Sequence, residues 1–296
     1  MGLSGSGAAE VREDAAGVKD CFAAKMAGPS DYAGERHETA QKAKTGPFNT
    51  MTQEENLLSS TQAIISELFD SNEAVKGQFQ LHISAEILEF GEALLPAFKR
   101  LPNFVEACAH NVQTSLVGAF IYGVLDDLVV SGKLLLMGKL GPSGNTYRQA
   151  MEGICMAAMC AHASTLLIGG QEKKYWELIV ENSKLANGNR AVHLFLANWD
   201  RLGLNLSGAE QLKEALALHH EHSHAGRLAL ANRMDLTPGG RIYVGGHFDP
   251  AKLQAYGLEM KQRINGARWT VELIDGLWPH IEKLRATTPA APAAHQ

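Results

Sequence analysis

The sequence predicts an all-α protein, a multi-helix bundle of seven or eight helices with a small β-hairpin near residues 241–248. Two observations lead to this fold class. Apolar residues recur every three or four positions through most of the chain after residue 51, and this is the period of a helix with one buried face. Turn-forming residues, above all Gly, Pro and Asn, separate these runs at short intervals, which favours antiparallel neighbouring helices.

The composition divides the chain into three regions. Residues 1–50 are rich in Gly and Ala, polar and aperiodic, which predicts a disordered segment or an extension from a misassigned start, with Met51 as the true initiator. Residues 51–286 carry the helical period and are predicted to form a single helical domain. Residues 287–296 are rich in Pro and Ala and predict a disordered tail.

The first two helices are predicted at 52–69 and 73–99. Thr52-x-x-Glu55 has the spacing of a capping box, in which each side chain bonds the other residue's backbone N–H, so it predicts the start of the first helix. Pro96 lacks a backbone N–H and is expected to kink or end the second helix.

A third helix is predicted at 103–137, with a break at Ser131-Gly132. Gly118 and Gly123 fall in its interior, where each glycine costs about 1 kcal/mol relative to alanine. We expect both glycines to allow close packing against another helix.

The remaining helices are predicted at 143–168, 171–186, 189–201, 208–234 and 250–285. The hairpin is expected to pair the residues on either side of Gly245-Gly246, which would form its turn. Asp249-Pro250 predicts the start of the last helix, because aspartate caps backbone N–H groups and proline suits the first turn.

Composition and charge narrow the function classes. The chain has 296 residues and a net charge of −5, without a block of basic residues, so nothing indicates a dedicated nucleic-acid-binding protein. Its four cysteines show neither a disulfide framework nor a Cys-x-x-Cys pair, which favours a reducing, cytoplasmic location. The sequence contains no signal-peptide pattern and no apolar run of about 18 residues, so we expect no membrane span.

A histidine cluster is the most unusual feature of the sequence, since four of the 12 histidines lie within residues 219–224. His220-Glu221-x-x-His224 has the spacing of the zinc-protease motif. There, two histidines one helical turn apart hold the metal and the glutamate is the general base for bound water. No third ligand is evident, so the cluster is also compatible with a polar seam whose histidines are satisfied by hydrogen bonds.

Arg148 and Glu152 form a second candidate site. They are four residues apart on a predicted helix, so their side chains meet on one face. Apolar residues surround them, which suggests burial, and a buried charge needs a partner. The pair is therefore either a core ion pair or part of a catalytic set with Ser223 and His224 from a later helix.

Three short blocks resemble a group of uncharacterised bacterial all-helical families. They are 135–160, where a turn of small residues leads into an Arg-x-x-x-Glu helix, then His222-Ser-His-Ala225, then 240–249 before the last helix. Some of these families are distant relatives of the HEPN helical domains, whose active members are ribonucleases, many in toxin–antitoxin or phage-defence systems. The HEPN catalytic motif is Arg followed five residues later by His, and no arginine of this chain has His at that position.

Three functions follow from these patterns. The first is a non-catalytic helical protein that acts through self-association as a homo-oligomer, or through a partner protein. The second, implied by the resemblance, is a HEPN-like ribonuclease or nucleotide-binding protein with Arg148, Glu152, Ser223 and His224 at its site. The third is a zinc-dependent hydrolase that binds the metal through His220 and His224.

Overall fold

The all-α fold with one small β-hairpin is confirmed. The computed structural model describes residues 60–203, 227–234 and 242–287. The α-helices in these ranges are α1 (Thr61–Leu68), α2 (Glu73–His82), α3 (Ser84–Cys108), α4 (Val112–Leu136), α5 (Leu140–Ala161), α6 (Tyr175–Val180), α7 (Gly188–Ala197), α8 (Arg227–Ala231) and α9 (Leu253–Thr287). The strands are β1 (Leu166–Ile168) and β2 (Gln171–Lys173), and 3₁₀ turns cover Lys184–Ala186 and Pro250–Lys252.

The core lies where α4 and α5 pack against each other and against α9. Ser131 on α4 bonds Ser143 on α5, and further along the pair Val124 lies against Gly153. These contacts show that the two helices run antiparallel. Helix α3 covers another side of α4 and packs on α9, while α7 packs on α5.

Helix α3 continues through two prolines, including Pro96, where the sequence predicted a kink or an end. The predicted helix at 73–99 is divided at Ile83, which separates α2 from α3. Pro96 and Pro102 both lie inside α3, although each proline removes a helical hydrogen bond. The buried side chains of α3 explain its continuity: Ala93, Leu94, Ala97, Leu101, Phe104, Ala107 and Cys108. Burial of this face outweighs the two lost backbone bonds.

Helix α4 begins at Val112 rather than at 103, and it continues without a break through Ser131-Gly132. Asn111 caps the helix, because its side chain accepts a hydrogen bond from the Thr114 backbone at 2.9 Å. In return, the Thr114 hydroxyl accepts one from the Asn111 backbone at 3.2 Å. This reciprocal capping box sets the start of α4.

The glycines of α4 differ in their surroundings. A Cβ atom on Gly118 would lie 3.0 Å from Cys108 Cβ, and one on Gly132 would lie 2.7 Å from a ring carbon of Phe90. Both glycines therefore allow α3 to approach α4 closely. Gly123 has no such neighbour within 4 Å, so the predicted close packing is confirmed at Gly118 and wrong at Gly123.

The β-hairpin lies at 166–173, where the sequence predicted the end of one helix and the start of another. Gly169 and Gly170 form its turn with φ angles of +61° and +77°, left-handed values that glycine adopts without strain. Asn198, which is fully buried, holds β1 against the end of α7. Its side-chain amide accepts a hydrogen bond from the Leu167 N–H at 2.7 Å and donates one to the Leu167 carbonyl at 3.1 Å.

The predicted hairpin near 241–248 is wrong in position. Residues 243–249 form bends and irregular backbone, and Ile242 makes an isolated antiparallel bridge to Met234. One of the two glycines in this segment has a packing role. Gly246 lies against the carbonyl group of Met137, in the turn between α4 and α5, where a Cβ atom would not fit.

The start of the last helix is confirmed. Asp249 caps the 3₁₀ turn that begins at Pro250 and leads into α9. Lys252, the last residue of this 3₁₀ turn, is almost fully buried. Its ammonium group donates to the Ala231 carbonyl at 2.8 Å and lies 3.1 Å from His247 Nε2, so it ties α8 to the start of α9.

The other helices are confirmed with different bounds. Helix α1 begins at Thr61 after the capping residue Ser60, and α5, α6 and α7 are each shorter than predicted. The helix start predicted from Thr52 and Glu55 lies outside the described residues. Of the helix predicted at 208–234, only residues 227–234 are described, and α8 covers Arg227–Ala231 of them. The extension at 1–50 and the tail from 288 onward lie outside the described residues, so their predictions stay untested.

Candidate interaction surface

Arg148 and Glu152 meet on α5, as predicted. Arg148 Nε donates to Glu152 Oε1 at 3.0 Å, and the same guanidinium donates to Asn189 Oδ1 on α7 at 2.7 Å. The two charged side chains are 15% and 14% exposed, so water screens the pair only partly. A Cβ atom on Gly188 would lie 2.5 Å from Glu152 Oε2, so the first residue of α7 packs directly on the pair. The pair therefore attaches α7 to α5.

The groups behind this ion pair are held in their neutral forms. Burial, and then the Glu152 carboxylate, raise the pKa of the Cys155 thiol well above its ordinary value. Burial likewise raises the pKa of the Tyr175 phenol. Neither group is a ready nucleophile or proton donor near neutral pH.

The other members of the predicted sites, Ser223, His224, His220 and Glu221, lie outside the described residues. Whether they join Arg148 and Glu152 stays a prediction, and so does zinc binding by His220 and His224. Among residues 60–203, 227–234 and 242–287, no group of three or more His, Cys, Asp or Glu side chains is placed to hold a metal ion.

A buried polar network that we did not predict joins α4, α5 and α9. Arg263 is fully buried and forms an ion pair with Glu259 at 2.7 Å. Its guanidinium also donates to Ser131 Oγ at 2.8 Å and to Ser143 Oγ at 2.7 Å, and it lies 5.3 Å from the centre of the Tyr147 ring. The spacing of four residues between Glu259 and Arg263, within an apolar stripe, was a signal for this pair. The network is a scaffold, because its charge is surrounded by protein and has partners on three helices.

The outer face of α3 carries a row of apolar residues that remains exposed. Its large side chains, Leu88, Leu95, Phe98 and Val105, are 64%, 51%, 42% and 37% exposed. The whole row, which we call the α3 seam, is Leu88, Gly91, Leu95, Phe98, Pro102 and Val105. Successive members are separated by three and four residues in alternation, which places all six along one side of the helix and is the period of a coiled-coil contact.

Helix α4 extends this apolar surface. Tyr122 and Val129 are 62% and 40% exposed. Both project from the side of α4 that also carries Gly118 and Gly132, and these glycines contact α3. The two side chains therefore border the groove between α3 and α4. We call the α3 seam together with Tyr122 and Val129 the α3–α4 face.

Two charged residues border the seam on the side away from α4. Glu92 and Lys99 are exposed, and within the described residues neither forms an ion pair or a side-chain hydrogen bond. Their neighbour Glu89 differs, because it forms an ion pair with Arg268 of α9 at 2.6 Å. Glu92 and Lys99 are thus available for a contact outside the chain.

Comparison with known proteins gives no match. No family model fits the sequence, and no curated protein or solved structure is significantly similar to the chain. The HEPN-like relationship stays a prediction. Over the described part of the chain, no helix combines the length and the hydropathy needed to cross a lipid bilayer.

Proposed function

We propose that the chain is a non-catalytic helical protein that self-associates through the α3–α4 face. The observation that supports this most is the α3 seam, where four large apolar side chains are exposed at regular spacing on one helix. Contiguous exposed apolar surface of this kind marks an interaction site in a folded protein. A regular coiled-coil period favours a helix as the partner, and a second copy of the chain supplies a matching one.

The size of the face suits a specific dimer. Helix α3 has 25 residues and is therefore about 37 Å long. Two neighbouring helices whose axes are about 9 Å apart make a face about 20 Å wide. This length and width give the face an area on the order of 700 Å² on each copy. The area is close to the roughly 800 Å² that each partner buries in a standard interface.

The expected affinity is moderate. Removing the exposed part of one large apolar side chain from water contributes about 1–2 kcal/mol at roughly 25 cal/mol per Å². Six such side chains on each copy, twelve in the dimer, contribute about 12–24 kcal/mol, against an association cost of about 4–15 kcal/mol. We therefore expect reversible self-association in the micromolar range rather than an obligate dimer.

Sedimentation velocity over about 1–100 μM tests this proposal. We expect the full chain to sediment as a concentration-dependent dimer, and the Leu95→Glu and Phe98→Glu variants to remain monomeric. Val180→Glu is the matched control, because Val180 is 57% exposed on α6, outside the face, and this variant should still dimerise. Circular dichroism of each variant checks that the helices are intact. A wild-type chain that stays monomeric at about 100 μM would overturn the proposal.

A further inference from the structure

We infer that two copies of the chain pair through α3 in an antiparallel arrangement, with Glu92 of each copy beside Lys99 of the other. This inference rests on the proposed self-association and adds the orientation and register of the dimer. It follows from the order of large and small residues in the α3 seam and from the charges of Glu92 and Lys99 beside it, which have no side-chain partner in the described part of the chain.

The seam is complementary to itself when one copy is reversed. In an antiparallel helix pair, the two alternating seam positions face each other across the interface. A two-fold axis between Pro96 and Ala97 places Leu95 opposite Phe98 of the other copy. The same axis places Leu88 opposite Val105, so that each large side chain meets another large side chain.

The remaining seam positions match in the same register. Gly91 lies opposite Pro102 of the other copy, so the residue without a side chain faces the rigid proline ring. A parallel pair in register would place Gly91 against Gly91 and leave a gap at that layer, because neither residue has a side chain to fill it. The antiparallel register fills all the layers of the seam.

The charges beside the seam favour the same arrangement. The two-fold axis brings Glu92 to within about 3 Å, along the helix axis, of Lys99 of the other copy. Symmetry repeats the contact, so the dimer gains two ion pairs along one edge of the seam. A parallel pair would instead place the two Glu92 residues at one level and the two Lys99 residues at another.

Helix α4 closes the opposite edge. Gly118 and Gly132 contact Cys108 and Phe90, so α4 runs antiparallel to α3 at a known register. Tyr122 then lies near the level of Leu101, and the two-fold axis brings it close to Val129 of the other copy. The interface thus has an apolar centre, one apolar edge formed by α4 and one charged edge.

Charge reversal tests the register through the dissociation constant of the dimer. Glu92→Lys places like charges side by side, and so does Lys99→Glu, and we expect each to weaken the dimer about fivefold to tenfold. The double variant recreates both ion pairs with the signs exchanged and should return to within about twofold of wild type. Glu106→Lys is the control, because Glu106 is an exposed acidic residue of α3 that faces Ala85 in this register, and it should change the constant less than about twofold. Failure of the double variant to recover would overturn the register.

Cysteine cross-linking tests the orientation by a separate measurement. Leu88→Cys and Val105→Cys variants are prepared in the full chain with Cys21→Ser and oxidised alone and as a mixture. The other native cysteines, Cys108, Cys155 and Cys160, are buried and should not react. A disulfide-linked dimer should form at least about tenfold faster in the mixture, since only residues 88 and 105 then come within disulfide range of each other.

The outcomes separate the two proposals. Cross-linking within each single variant indicates a parallel pair, and it overturns the register while leaving self-association in place. A dimer that persists in solution without cross-links in any sample also overturns the register alone. A wild-type chain that does not dimerise overturns both.

Discussion

Ser131 and Ser143 exchange a pair of hydrogen bonds across the interface between α4 and α5. The hydroxyl of each residue donates to the backbone carbonyl of the other, at 2.9 Å and 2.6 Å. Each hydroxyl also accepts a hydrogen bond from the guanidinium of Arg263. Because the donors and acceptors match in one arrangement of the helices, this contact fixes the position of α4 relative to α5 and α9. Helix α3 packs on α4 and α9, so the network also supports the proposed interface.

Replacement of Arg263 should destabilise the fold strongly. We expect Arg263→Met to lower the free energy of unfolding by about 3–5 kcal/mol, because Glu259 would keep a buried carboxylate without its partner. Urea denaturation followed by circular dichroism measures the change. Arg268→Met is the matched control on the same helix, since its ion pair is about half exposed and should contribute less than about 1 kcal/mol. Equal effects of the two substitutions would contradict a central role for the network.

Two glycines of α4 provide a test of helix packing. We expect Gly123→Ala to stabilise the protein by about 0.5–1 kcal/mol, because alanine is the better helix former and the site has open space. Gly118→Ala should destabilise it, because the new methyl group would lie 3.0 Å from Cys108 Cβ. Thermal unfolding of both variants shows the sign of each change. Changes of the same sign would mean that α3 and α4 are spaced differently.

The helices could be predicted from the sequence, but several of their ends could not. The capping box at Asn111 and Thr114 is a local pattern, but it has threonine where the usual motif has glutamate or glutamine. The break at Ile83 depends on distant contacts. It allows Phe79 to pack against the rings of Phe248 and Tyr256, with centroids 5.1 Å and 4.7 Å away. No local pattern contains that information.

The α3–α4 face could not be predicted from the sequence, because its exposure also depends on contacts between distant residues. Helix α3 has apolar residues on two sides, with Leu94 buried and its neighbour Leu95 half exposed. Periodicity alone predicts a helix, but it does not show which apolar side a neighbour covers. The Arg148–Glu152 pair was predictable because a spacing of four residues is a local property of a helix. The additional hydrogen bond from Arg148 to Asn189 was not predictable, because Asn189 lies on a helix that is distant in the sequence.

Asp127 should make stability depend on pH. Partial burial, and then the charge of Asp126, raise the pKa of Asp127 from 3.8 to about 6. The folded chain therefore binds this proton more tightly than the unfolded chain, so this contribution to the free energy of unfolding falls as the pH rises from about 4 to 6. We expect Asp127→Asn to remove that slope and to stabilise the protein by about 1 kcal/mol above pH 6. Asp126→Asn should give a smaller change, and an unchanged slope in Asp127→Asn would contradict the assignment.

Metal analysis addresses the zinc prediction at His220 and His224. Under the proposed function, chain purified without chelator should contain less than about 0.1 equivalent of zinc, and added zinc should leave the unfolding temperature unchanged. Inductively coupled plasma mass spectrometry and thermal unfolding measure the two quantities. Close to one equivalent of zinc that is lost in His224→Ala would favour the metal-dependent hydrolase instead.

Substitution of Arg148 distinguishes a structural pair from a catalytic one. We expect Arg148→Met to lower the free energy of unfolding by about 1–3 kcal/mol, because Glu152 is 14% exposed and would lose its partner. Asn189→Ala, which removes the contact of this pair with α7, should cost about 1 kcal/mol. Under the proposed function neither variant changes the cleavage of single-stranded RNA, since the wild-type chain should not exceed the background rate. RNA cleavage by the wild-type chain that is abolished in Arg148→Met, with the fold intact by circular dichroism, would instead support the HEPN-like ribonuclease.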